Sequence, residues 1–124
     1  MIAPTRVLEL GTFTGYATAC WAEGLSPNGT VDTIDVNDEL APIQDKHWNA
    51  LGCAPFIRRH IGKAMDLLES GVLFEDDSRP LDVVFVDADK EHQQAYVDWA
   101  IYQVRDGGWI CLLYTSDAAD DCWS

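Results

Sequence analysis

Basic residues are scarce in this chain: 8 Lys and Arg stand against 21 Asp and Glu, a formal net charge of −13. A duplex or tRNA partner asks for a basic face, and only "RRH" at 58–60 is locally basic. That tripeptide reads as the rim of a strand, so a nucleic-acid partner is disfavoured. The four cysteines (Cys20, Cys53, Cys111, Cys122) form no CxxC pair and the three histidines no HxH or HExxH pattern, so a zinc site is not indicated. Cys20 and Cys53 fit best as small core residues of a reduced, cytosolic protein. No hydrophobic run approaches the ~20 residues that a membrane span needs. The opening "MIAPTRVLEL" has no separate hydrophobic region followed by a cleavage site, which argues against a secretory signal.

What is present is enough for a packed core. With 124 residues, 48% of them hydrophobic, the chain is one domain at most. Short apolar runs at 6–10, 30–36, 55–61, 81–87 and 109–113 read as strands. Between them lie helical stretches. Ala17, Cys20 and Trp21 share one helical face, as do Leu40, Ile43, His47 and Leu51 in a helix over 38–51 stopped by Gly52. "KAMDLLES" makes a short helix ending at Gly71, and a helix over 90–105 puts Val97, Ala100, Ile101 and Val104 inward. "SPNGT" and "DGG" are turns, and "EDDSRP" a charged surface loop. This β-α alternation with short connections predicts an α/β fold, a mostly parallel sheet with helices on both faces and right-handed crossovers.

In such sheets ligands lie outside the carboxyl ends of the strands, where Glu9, Asp35 and Asp87 fall. The first strand-to-helix turn, "ELGTFTG", has glycines only at 11 and 15, so the GxGxxG of a nicotinamide-binding turn is absent. An acid two residues before Gly11 would repel a pyrophosphate and attract a cation, which suits S-adenosylmethionine. Asp35, 24 residues after Gly11, stands where an acid accepts hydrogen bonds from ribose hydroxyls; its competing reading is a helix N-cap. "DVVFVDADK" ends an apolar strand in Asp87, Asp89 and Lys90. The two acids could be plain N-caps, but a cation in a first helical turn opposes the helix dipole.

"VLELGTFTGYAT", "TIDVND", "GKAMDLL", "DVVFVDADK" and "DGGWI" resemble, in order and spacing, the motifs of the cation-dependent O-methyltransferases, which include the caffeoyl-CoA and catechol enzymes. The resemblance runs from Arg6 to Ile110. It implies a Rossmann-like methyltransferase fold, S-adenosylmethionine as methyl donor, a divalent cation (usually Mg²⁺), a small catechol-like or phenolic acceptor, and a homodimer when full length. Carried over by position, Glu9, Gly11 and Thr12 line the methionine end of the cofactor and Asp35 holds the ribose. Ala64 lies against the adenine region, Asp89 contacts the cofactor, Asp87 is a metal ligand, and Lys90 is the general base. Two positions depart from the pattern: Ala17 stands where a hydroxyl is usual, and Lys63 where an acid is common.

After "GGWI" the family continues to an Asp-Asn pair; here the chain reads "CLLYTSDAADDCWS". Residues 111–121 resemble the translation of a transposase-end sequencing adapter. The expectation is a partial S-adenosylmethionine-binding domain over 1–110, followed by an artefactual tail over 111–124 in which Cys111 and Cys122 carry no meaning. About five of the family's seven strands would then be present, and such a chain could be a catalytically incompetent fragment.

Overall fold

The computed structural model describes residues 3–87, 90–113 and 120–123, with the side chains of Lys90 and of 120–123 outside that description. Five parallel strands, β1 (Arg6–Leu10), β2 (Thr30–Asp35), β3 (Ile57–Ile61), β4 (Leu81–Val86) and β5 (Val104–Leu113), form one sheet. A sixth, β6 (Asp120–Trp123), pairs antiparallel with β5, and the order is β3-β2-β1-β4-β5-β6. The helices are α1 (Tyr16–Glu23), α2 (Ala41–Leu51), α3 (Ala64–Ser70) and α4 (Lys90–Gln103). Among the described residues, no helix is long and apolar enough to cross a membrane.

Every residue of β1 and β4 is buried, because each strand has neighbours on both sides and helices on both faces. Successive side chains point to opposite faces. Val7, Val31, Val83, Phe85 and Cys111 pack with Ala19 and Ala22 of α1 and Trp48 of α2. Leu8, Leu10, Ile34, Val84, Val86 and Leu112 pack with Leu68 of α3 and Ala100 of α4. The boundary expected at residue 110 falls inside β5: Cys111 and Leu112 lie opposite Phe85 and Val86 and enter the two cores. An apolar tripeptide continues a parallel ladder whatever its origin.

Three helical faces differ from expectation. Cys20 is exposed, and α1 turns Thr18, Ala19 and Ala22 to the sheet; these smaller side chains let the helix come close, with Trp21 edge-on to Phe85 at 5.7 Å. In α2, Ile43 is 55% exposed and Leu51 is exposed too, while Gln44 and Trp48 are buried. Polar demand decides that face, since both buried side chains hydrogen-bond main-chain carbonyls of the first turn. In α4, Ala100 is buried but Ile101 is 59% exposed. That helix stops at Gln103 because Val104 pairs with Leu81; the register then jumps to Val83 opposite Trp109, leaving Arg105–Gly108 outside the ladder.

At the amino ends of the strands lies a polar network that joins Arg6 and Asp32 of buried strands to residues expected on a strand rim and in a surface loop. Arg6 is fully buried. Its Nε donates to Asp32 at 3.2 Å, and its other nitrogens donate to the carbonyls of Leu73, Asp77 and Arg79. Arg58 bridges Asp32 and Asp77, His60 contacts Asp32 at 2.9 Å, and Arg79 pairs with Asp77. "RRH" is therefore an edge strand with its first and third side chains tied to acids, and part of "EDDSRP" is its cover.

Candidate active site

The sheet order reverses between β1 and β4, and the crevice beyond such a switch point is where open α/β sheets take ligands. A cleft of about 520 Å³ opens there. Gly11 and Asp87 line it at the ends of β1 and β4, Val36 beyond β2, Lys63 and Ala64 at the start of α3, and His92 and Tyr96 along α4. The two α4 rings are one helical turn apart and stack with centroids 6.3 Å apart. Their i, i+4 spacing was the available signal, and sequence reasoning did not use it.

The turn after β1 is held from four directions. Gly11 N donates to the Ile34 carbonyl at 2.9 Å, and Phe13 N to Asp35 Oδ2 at 3.2 Å. Gln44 donates to the Phe13 carbonyl at 2.6 Å and the Trp48 indole to the Gly15 carbonyl at 2.9 Å. These bonds keep Phe13 at φ 50, a left-handed conformation costly for a residue with a side chain. Gly11 lies at φ 105, and a Cβ there would sit 2.7 Å from the Asp87 carbonyl. Glycine is required because β1 and β4 close to backbone distance under the cleft.

Glu9 is fully buried at the end of β1. Its Oε1 accepts hydrogen bonds from Thr18 of α1 and from Thr33 of β2, the residue opposite it in register. Its Oε2 has no hydrogen-bond partner among the described residues. Burial pushes its carboxyl up to about 7; the two threonine bonds pull it down, and the charges of Asp87 and Asp35 push it up again. Asp35 accepts from Phe13 N and from its own neighbour Val36 N at 2.8 Å, so it braces the first turn and does not cap α2. Thr12 is buried with its hydroxyl 2.7 Å from that of Thr33, which leaves its main chain to face any ligand. Ala64 opens α3 on the cleft wall. Asp89 lies outside the described residues, and Lys90 is described only as the first residue of α4.

Asp87 lines the cleft, while Glu9, with one carboxylate oxygen unpartnered among the described residues, and Asp35 stand at the ends of the adjoining strands outside its lining; acids gathered in this way suit a cationic ligand. A model of the O-methyltransferase family matches residues 1–116. The chain belongs to the O-methyltransferase family. It is 36% identical to a catechol O-methyltransferase of Mycobacterium tuberculosis, over 96% of this chain and 56% of that protein. It is 35% identical to one of Niastella koreensis, over 82% of this chain and 45% of that protein. Its fold is similar to the O-methyltransferase TomG of Streptomyces achromogenes, solved in complex with S-adenosylmethionine. The TM-score is 0.81 at 33% identity, covering 89% of this chain and 48% of that one. The chain thus spans about half the length of the curated relatives it matches. For a metal the fit is incomplete: among the described residues no group of three His, Cys, Asp or Glu side chains is placed to hold an ion.

Proposed function

We propose that the chain is the cofactor-binding part of an S-adenosylmethionine-dependent O-methyltransferase acting on a hydroxyl of a small catechol-like or phenolic acceptor. The observation that carries this reading is Glu9: a fully buried carboxylate with one oxygen unpartnered, next to a glycine that brings the backbone to the cleft. A buried carboxylate oxygen without a donor is costly unless a ligand supplies one. When bound, the cofactor supplies an electrophilic methyl group on a sulfonium.

The residues then divide the work. Glu9 and Asp89 would face the positive, amino-acid end of the cofactor, with Gly11 and Thr12 approaching through their main chains. Asp35 would accept from the ribose hydroxyls, and Ala64 leaves room for the adenine. Lys90, in the first turn of α4 beside the cleft, would take the proton that the acceptor hydroxyl gives up. A base near the reacting oxygen typically contributes ~10²–10⁴-fold in rate. Asp87 would be one ligand of a divalent cation, Mg²⁺ by preference for hard oxygen donors. Among the described residues, no two further His, Cys, Asp or Glu side chains join that carboxylate in a metal-binding group. A cytoplasmic location, a dimeric full-length enzyme and indifference to nucleic acid belong to the same reading.

The incomplete metal donor set favours a second reading, in which this chain is a catalytically incompetent fragment that binds cofactor weakly or not at all. Calorimetry with S-adenosylhomocysteine, followed by methyl transfer to catechol with and without chelator, separates the two. Binding with chelator-sensitive turnover is expected of the enzyme, and weak or no binding without turnover of the second reading. Turnover by this chain defeats the second reading, and absence of binding defeats the first for this chain.

A further inference from the structure

We infer that Thr18 and Thr33 are positioning residues for the cofactor: by occupying Oε1 of Glu9 they hold its carboxylate in one rotation, with Oε2 presented to the ligand's ammonium group. This rests on the cofactor reading above and goes beyond it, since neither threonine lines the cleft; Glu9 is itself fully buried outside the lining, so the ligand's ammonium would have to reach past Gly11 to meet it.

The argument is one of donors. Thr18 and Thr33 are both fully buried, and each hydroxyl has a single proton. Thr33 Oγ1 lies 2.7 Å from Glu9 Oε1 and 2.7 Å from Thr12 Oγ1. In the ionised form that pairs with an ammonium, the Glu9 carboxylate cannot donate, so the Thr33 proton goes to Glu9 and Thr33 must accept from Thr12. The order of donation is Thr12 to Thr33 to Glu9, met from the other side by Thr18. Both donors converge on Oε1, and Oε2 is left for something brought from outside. Three elements (β1, β2 and α1) together set the rotation of one carboxylate. Ala17, the neighbour of Thr18, brings no donor, and Cys20 faces solvent. Without its clamps the carboxylate could turn either oxygen inward, and part of the ligand's binding free energy would go into restoring the productive rotation.

The test is calorimetry of S-adenosylhomocysteine, which carries the ammonium, on the full 124-residue chain and its variants. Thr18→Val is expected to weaken the dissociation constant roughly ten-fold, the size of one lost hydrogen bond to a charged group. Thr18→Ser, which keeps the hydroxyl, should stay within about two-fold of the parent. In a Glu9→Gln background, Thr18→Val should change affinity by less than about two-fold, because its target charge is gone. If Thr18→Val does not fold, Thr33→Val on the same two backgrounds serves in its place. Equal losses with and without Glu9, failure of serine to rescue, or no loss at all would overturn the inference while leaving the cofactor reading intact. No binding by the parent chain would overturn the cofactor reading, and the inference with it.

Discussion

At the scale of single residues, Glu9 trades stability for binding. Its carboxyl is held at about 7 against an ordinary 4.5, chiefly by burial. Between those values the folded chain keeps a proton that the unfolded chain has lost, so stability falls as pH rises through that window and the whole penalty stands above it. Glu9→Gln is therefore expected to raise unfolding stability by about 1–3 kcal/mol near pH 8 and to change it little near pH 4. Urea titrations at the two pH values read this, and a gain independent of pH would remove the assigned cause. The same variant should bind S-adenosylhomocysteine roughly ten-fold more weakly, still within reach of calorimetry. Gly11→Ala tests the neighbouring turn. With φ 105 and a Cβ 2.7 Å from the Asp87 carbonyl, it is expected to cost about 1–3 kcal/mol and to distort the cleft. Denaturant midpoints and ligand titration together check it. Glu9 and Gly11 were both legible in the sequence, as an acid and a glycine at the end of an apolar run. Thr18 and Thr33 were not. Threonine occurs on surfaces and in strands alike, and only register and helix packing bring these two to one oxygen.

At the scale of elements, the ends of the strands behave differently. The carboxyl ends carry the cleft, and the amino ends carry the Arg6–Asp32–Arg58–Asp77 network. Burial pushes Asp32 up, but His60, Arg58 and Arg6 outweigh it and hold its carboxyl below the ordinary range. A depressed carboxylate stabilises the fold above its unfolded value of 3.8 and loses that contribution as pH falls below it. Asp77 and Asp82 are lowered in the same direction, Asp77 chiefly by Arg79. Asp32→Asn should cost about 3–5 kcal/mol near pH 7, because it removes the nearer counter-charge of buried Arg6 and leaves it Asp77 at 3.8 Å. The difference between variant and parent should shrink below pH 4, and urea unfolding across pH 3–7 measures it. The network escaped the sequence reading because Arg58, His60, Asp77 and Arg79 look like ordinary surface charges. They are tied inward by one arginine at the start of a fully buried strand. The face of α2 was misread for a related reason. Periodicity favours Ile43 and Leu51, but the main-chain carbonyls of the first turn needed Gln44 and Trp48.

At the scale of the whole molecule, one sheet separates two cores, and β5 closes both through Cys111 and Leu112. We propose that the natural sequence departs from this one after Ile110, yet these residues complete the fold as it stands. Ending the chain at Ile110 should therefore lower stability by at least about 3 kcal/mol, given ~1.5–3 kcal/mol for each large apolar side chain removed from a core. It would also strip β4 of its pairing beyond Val84. Thermal unfolding followed by circular dichroism, comparing the two lengths, checks this; an unchanged midpoint would show that the last strand carries no weight.

Read alone, the chain determined the β-α alternation, the five parallel strands and the acids at their ends. Those follow from local runs of apolar residues, from glycine at turns and from the two-residue repeat of a strand. Tertiary structure decided which threonines reach Glu9, which face of each helix is buried, and how the charges at the amino ends are paired. Each depends on donors and acceptors far apart in sequence that must be satisfied once water is excluded, and no local pattern encodes that requirement.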